Sequence, residues 1–329
     1  MIKENVWKIL TRVVYLLLIT PVFSFSCKKQ EPVVADVQGI TTFYLPDTGQ
    51  TTSYTNTKGE DSDFDFHAPS YKDNGDGTVL DNVTGLMWQK GDGGEMIYAN
   101  AATYCKSLTL GGFSDWRLPT SHELFGLNSY DNVNPALNTS IFTKTTAEYW
   151  WTSDVRADDA NSVWVVNAGG GVGAHPKTET LSAGGPKRFH TRAVRVPVAV
   201  SFPAVHFKDN GDNTITDNYT GLTWQKLQSL NTLTWEEALS YATSLTLTGK
   251  TDWRVPNVKE LQSLNDEKLY KPSFNKSFFP NVLSGNYWSS TSQVNATNRA
   301  WDLNVDYGIV SYSDKTIKEN VICVRGGSK

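Results

Sequence analysis

Apolar and polar positions follow two rhythms along this chain, and each rhythm occurs twice. Ala101, Tyr104, Cys105 and Leu108 recur at helical spacing, as do Ala238, Tyr241, Ala242 and Leu245, so each set predicts one amphipathic helix. The second set opens with Thr234-Trp-Glu-Glu237, a capping box whose hydroxyl and carboxylate satisfy first-turn amides. Thr120-Ser-His-Glu123 and Asn257-Val-Lys-Glu260, directly after Pro119 and Pro256, predict a further short helix in the same way. Ahead of these helices, Leu86–Gln89 and Leu222–Gln225 follow Thr-Gly turns and read as strands. Asp76-Gly77 and Asp212-Asn213 sit between extended segments as two-residue hairpin turns. Tyr149–Thr152, Val163–Asn167 and Arg192–Val196 are short β-like runs joined by polar loops. The order is hairpin, two helices, then antiparallel strands, an α+β fold with much loop.

The doubling is an internal repeat. The run from Tyr71 to Lys90, containing Lys-Asp-Asn-Gly-Asp and Thr-Gly-Leu-Met-Trp-Gln, returns from Phe207 to Lys226 at an offset of 136. Asp115-Trp-Arg-Leu-Pro119 matches Asp252-Trp-Arg-Val-Pro256, and Trp151-Thr-Ser153 matches Trp288-Ser-Ser290, at an offset of 137. Val194-Arg195 matches Val324-Arg325 at 130, so the first copy carries extra residues late in the unit. Two tandem domains follow, residues 67–198 and 199–329, each large enough for its own core.

The start of the chain reads differently. Lys3, Lys8 and Arg12 precede an apolar run from Val13 to Phe25, the layout of an export signal and shorter than a membrane-spanning helix. Ser24-Phe25-Ser26-Cys27 resembles the lipobox of bacterial lipoproteins, which implies lipidation of Cys27 and removal of residues 1–26. A plain secretory signal cleaved nearby is the competing reading. Residues 27–66, rich in Thr, Ser, Asp and Gly, read as a flexible tether with a short strand near Ile40–Leu45. The implied location is the outer membrane or cell surface, with the periplasmic face as the alternative.

Composition narrows the class. Apolar residues make up 39% of 329, aromatic residues 12%, and the net charge is −4. That is too apolar for a disordered chain, and it lacks the basic excess of a general nucleic-acid binder. Without residues 1–26 the chain holds 27 basic and 33 acidic residues, a shift further from nucleic acid.

The ordered set Asp-Asn-Gly-Asp, Thr-Gly-Leu-x-Trp-Gln-Lys, Asp-Trp-Arg-Leu/Val-Pro, Tyr-Trp-Ser-Ser and Cys-Val-Arg-Gly-Gly resembles the Lcl-type C-terminal domain family over residues 70–197 and 206–327. The resemblance implies a C-type lectin-like fold, with two helices around small antiparallel sheets and long loops. It also implies a non-enzymatic role in adhesion through binding a glycan or another surface component. A structural envelope lipoprotein that binds other proteins is the alternative, and an enzyme on a lectin-like fold a third. In the family, positions equivalent to Cys105 and Cys323 often occur together in one domain and look like a disulfide pair. Here each copy has lost one partner, so two buried thiols and a cross-copy Cys105–Cys323 bond or swapped strand both stand.

Candidate ligand groups fall in three sets. Asp73, Asp76 and Asp81, with Asp209, Asp212 and Asp217, offer oxygen ligands for calcium or side chains that bond their own turns. The EF-hand spacing is not met, because Lys72 takes the first ligand position and Asn213 replaces the glycine of the other copy. Lys177, Lys187, Arg188 and Arg192 lie in the late insert of the first copy, framed by Gly169–Gly171, Gly173, Gly184 and Gly185. They form a local basic loop suited to an anionic glycan, or a solvated loop leading into an edge strand. Trp150, whose counterpart is Tyr287, is the aromatic candidate for stacking on sugar, with burial in the core as the alternative. The five histidines form no metal-ligand pair, and no nucleophile elbow or phosphate loop is present.

Overall fold

The computed structural model describes residues 44–143, 146–179, 181–182, 185–186, 189–198 and 203–327. In the first copy a hairpin, β1 (Tyr71–Asp73) and β2 (Thr78–Asp81), leads to β3 (Met87–Gln89), then to helices α1 (Tyr98–Ser107) and α2 (Ser121–Gly126). Long strands follow, β4 (Tyr149–Arg156), β5 (Asp159–Asn167) and β6 (Val172–Pro176), then the short pieces β7 (Leu181–Ser182), β8 (Gly185–Pro186), β9 (Phe189–His190) and β10 (Val194–Arg195). The second copy repeats the plan with β11 (Phe207–Asp209), β12 (Thr214–Asp217), β13 (Thr223–Gln225), α3 (Trp235–Ser244) and α4 (Val258–Ser263). It ends with β14 (Asn286–Ser292), β15 (Arg299–Asn304), β16 (Ile309–Asp314) and β17 (Val324–Arg325). The chain is α+β, as expected, though one of its sheets is larger than the small antiparallel sheets expected, and the capping boxes form at Thr120, Thr234 and Asn257.

Within each copy the last strand returns to the opening hairpin, giving four-stranded sheets in the orders β1-β2-β3-β10 and β11-β12-β13-β17. The hairpin loops are longer than the two residues expected. Asp73 stands opposite Val79 and Asp209 opposite Ile215, and two left-handed positions make the turn. These are Gly75 and Gly77 (φ 77° and 88°) in one copy, Gly211 and Asn213 (φ 77° and 68°) in the other. Asparagine is among the few side-chain-bearing residues that adopt this conformation readily, which accounts for its exchange with glycine.

The copies are tandem in sequence but fused in space. One seven-stranded sheet runs β14-β15-β16-β6-β5-β4-β9. At its centre β6 and β16, which are equivalent elements, pair antiparallel through Val172 and Val310. Each would otherwise be an exposed edge. The approach is close at Gly171, where a Cβ would come within 2.8 Å of the Val310 carbonyl. The equivalent helices α2 and α4 also meet, so a local two-fold relation passes through the seam. One core spans both copies and holds Trp88 with Trp224, Leu124 with Leu261, Trp164 with Trp301, and Trp150 with Tyr287. Two satellite cores stay within single copies, around Trp116 and Trp151 in the first and around Trp235, Trp253 and Trp288 in the second. A buried tryptophan removes about 150–250 Å² from water, so these equivalent pairs supply much of the cohesion of the fused body.

From Tyr44 onward the segment expected as a tether is packed. Gln50 pairs with the backbone of Ser292 in both directions, Nε2 donating to its carbonyl and Oε1 accepting from its amide, each at 2.9 Å. Asp61 accepts from Thr48 Oγ1 at 2.8 Å and from Thr291 Oγ1 at 2.6 Å. Asp47, Thr48, Gln50, Glu60 and Asp61 are all buried. A polar composition reads as linker, but here hydroxyls, amides and carboxylates satisfy one another against the second copy. Tyr44 and Leu45 are not in a strand, and the rest of the strand expected near them, with Cys27 and residues 1–26, lies outside the described residues.

Candidate functional site

The acidic hairpins are turn chemistry. Asp73 accepts from Gly75 N (3.0 Å) and pairs with Lys90, and Asp76 accepts from the amide and hydroxyl of Thr78. Asp81 accepts from the amides of Val83 and Thr84. Asp209, Asp212 and Asp217 repeat these bonds residue for residue. Among the described residues no group of three or more His, Cys, Asp or Glu is placed to hold a metal ion.

Of the basic set, the two described members, Lys177 and Arg192, are each bonded to backbone carbonyls. Arg192 is 1% exposed, and its Nη1 donates to the carbonyls of Gln89, Lys90 and Gly91. It therefore clamps the segment after β3, and burial pulls its guanidinium down to about 10. Lys177 donates to the Ala160 carbonyl at 2.7 Å and sits 5.7 Å from the Tyr98 ring. Lys187 and Arg188 lie outside the described residues. The glycines Gly169–Gly171, read as part of a flexible frame, make a packed turn in which the Gly170 carbonyl accepts from Asn128 and Tyr130. Trp150 is 5% exposed and belongs to the shared core, so it offers no face to a sugar.

Cys105 and Cys323 are free and buried, and the last strand of each copy pairs within that copy, so no bond or swapped strand joins the copies through them. Cys105 sits in the first satellite core with Ala193, and Cys323 in the second with Ala242. Each thiol thus fills a space that faces alanine in its own copy. Burial pushes the Cys105 thiol up to about 12 and raises that of Cys323 as well.

One set of titratable groups joins the copies. His122, second residue of α2, approaches the Gln262 carbonyl of α4 at 3.1 Å, while Lys259, second residue of α4, donates to the Gly126 carbonyl of α2 at 2.9 Å. Each helix thereby receives a cationic donor at its carbonyl end, where the helix dipole favours one. His122 also meets Glu267 at 3.0 Å, and Glu267 accepts from Ser121. Burial draws the imidazole down, but the charge and hydrogen bond of Glu267 and the Gln262 carbonyl outweigh it and lift it to about 9. Lys259 is buried, which draws its ammonium down to about 8, and it donates to the Asp47 carbonyl at 2.8 Å.

Beside the seam lies a cleft of about 270 Å³ lined by Asn134, Asn167, Gln293, Asn295, Trp301 and Tyr312. The β5–β6 turn supplies its first-copy wall. Asn167 Oδ1 accepts from the amides of Gly169 and Gly171 at 2.9 and 3.0 Å, which fixes that turn. Trp301 forms a floor, edge-on to Tyr130 (5.1 Å) and Tyr312 (5.6 Å). Tyr312 is 43% exposed, with the Arg299 guanidinium 5.3 Å from its ring. Gln293 is buried, and its Oε1 has no partner among the described residues. Planar amides beside an exposed aromatic ring match the alternating polar edges and apolar faces of a sugar. Sequence reasoning missed Tyr312, because it weighed only tryptophans as aromatic candidates. The available signal was difference, since the counterpart of Tyr312 is His175.

These features define an α+β protein made of two copies of one unit, fused through a common sheet with a cleft at the junction. The Lcl C-terminal domain family matches residues 77–195 and again 213–325, and the chain belongs to that family, carrying its domain twice. No curated protein matches the chain.

Proposed function

We propose that this protein is a non-enzymatic, lipid-anchored binding module of the cell envelope that holds a glycan or another surface component. Each copy is read as C-type lectin-like, anchored through Cys27 to the outer membrane or cell surface. The observation that carries the binding reading is the seam cleft, in which the Tyr312 ring stands exposed beside four side-chain amides, one with an unpartnered buried oxygen. The bonding of His122, Glu267, Asp61 and Lys259 is spent on joining elements, which supports a binding role over a catalytic one.

The test is a glycan array probed with the full chain, with and without calcium. Selective retention is expected, unchanged by chelation, and weakened about ten-fold by Tyr312→Ala through loss of one ring contact. Retention that survives Tyr312→Ala undiminished refutes the cleft. A second reading, a protein partner, is favoured by Leu230, 92% exposed, with Leu227 and Leu283 also exposed nearby in the second copy. An array with no retained glycan, together with a partner lost on Leu230→Asp, would put that reading first.

A further inference from the structure

The two-fold relation that places the first cleft on one side of the β6–β16 seam creates an equivalent position on the other. There the chemistry is exchanged. Lys271 takes the place of Asn134, with nearly the same backbone conformation (φ 45° and 47°), Tyr270 replaces Val133, and Tyr307 replaces Gly170. Tyr270 and Tyr307 are 40% and 38% exposed, with ring centroids 6.1 Å apart at an interplanar angle of 50°. The Lys271 ammonium lies 5.3 Å from one ring and 5.4 Å from the other. Arg156, reaching across from the first copy, has its guanidinium 5.9 Å from the Tyr307 ring.

We propose that this aromatic and cationic position is a second sugar site, and that it takes a residue bearing one carboxylate, of the uronic acid type. Two open rings give apolar faces for a pyranose. The ammonium between them gives the countercharge, and no carboxylate among the described residues lies within 4 Å of it. Arg156 cannot add a second free charge. Its Nε and Nη2 are engaged by Asp158 at 2.6 and 3.0 Å. The Lys271 amide also donates to the Asp306 carbonyl, while the Asp306 carboxylate accepts from the Ser284 hydroxyl and the Gly285 amide. One ammonium held between two tyrosines, beside an arginine already paired with Asp158, suits a single negative charge better than a densely sulfated chain. The site uses none of the residues of the first cleft, so it stands or falls separately.

The experiment measures binding of the full chain to polygalacturonate and to alginate, with fully methyl-esterified polygalacturonate and dextran sulfate as comparisons. Esterification keeps the sugar ring and removes the charge. Wild type is expected to bind at least one polyuronate ten-fold or more tighter than the ester. Lys271→Ala should erase the preference for acid over ester, Tyr307→Ala should weaken both, and Tyr312→Ala should leave both unchanged. Both substituted residues here are exposed, and unchanged thermal unfolding confirms that the variants fold. The proposal is overturned if neither polyuronate binds, if acid and ester bind alike, if Lys271→Ala changes nothing, or if dextran sulfate binds more tightly than both polyuronates. Neutral-glycan retention lost only with Tyr312→Ala reports on the first cleft, so the two readings fail independently.

Discussion

Replacing Asp61 tests how residues 44–66 are held, because the effect should depend on pH with a defined sign. Asp61 is 2% exposed and accepts from the hydroxyls of Thr48 and Thr291, both fully buried. Asp61→Ala removes both bonds and leaves two buried hydroxyls short of a partner, each worth about 1–3 kcal/mol. Burial, assisted by the nearby Asp47, raises the Asp61 carboxyl from 3.8 to about 8. A group raised on folding stabilises fully below its unfolded value and loses that contribution as pH climbs to its folded value. The destabilisation by Asp61→Ala should therefore be largest, about 2–6 kcal/mol, near pH 4–5. It should shrink towards pH 8 with a slope of at most about 1.4 kcal/mol per pH unit. Asp61→Asn, which keeps an acceptor and cannot ionise, should flatten the dependence and match or exceed wild type near pH 8. Urea unfolding followed by tryptophan fluorescence at pH 5, 6, 7 and 8 measures all three proteins. Lys259, lowered from 10.5 to about 8, contributes mainly above this window. A destabilisation by Asp61→Ala that is constant over pH 5–8, or that grows with pH, would refute the reasoning.

The other predictions concern the seam and the separate cores. His122 is raised from 6.5 to about 9, so its stabilisation should be complete below pH 6.5 and gone above pH 9; His122→Gln should lower the unfolding temperature at pH 6 and match wild type near pH 9.5. Gly171→Ala places a Cβ 2.8 Å from both the Val310 carbonyl and the Asn167 amide, and should cost about 1–3 kcal/mol in chemical unfolding by forcing the seam apart. Because Cys105 and Cys323 lie in different cores, reducing agent should leave the unfolding temperature unchanged. A shift on reduction would contradict that placement.

Local structure was largely legible in the residues because its signals are local. The capping boxes at Thr120, Thr234 and Asn257 need only neighbours three positions apart, and all three form. The hairpin aspartates bond amides two or three residues away, so the turn reading needed no tertiary information. The sites were less legible. Arg192 looked like part of a charged loop, and nothing in its sequence neighbourhood shows that three carbonyls from residues 89–91 would surround it. Residues 44–66 looked like linker because composition records polarity but not whether polar groups have partners.

The chain by itself determined that one α+β unit occurs twice, where its helices and hairpins begin, and which tryptophans are equivalent, since each follows from short-range pattern or from comparison of the copies. Only the tertiary structure decided that the two units share a sheet and a core. Strand pairing between Val172 and Val310 joins positions 138 residues apart, and a hydrogen-bonding edge leaves no mark in the sequence of the strand that it will meet. The same pairing places Tyr312 beside Asn134 and Arg156 beside Tyr307, so the cleft and the second aromatic position exist only because the copies are fused.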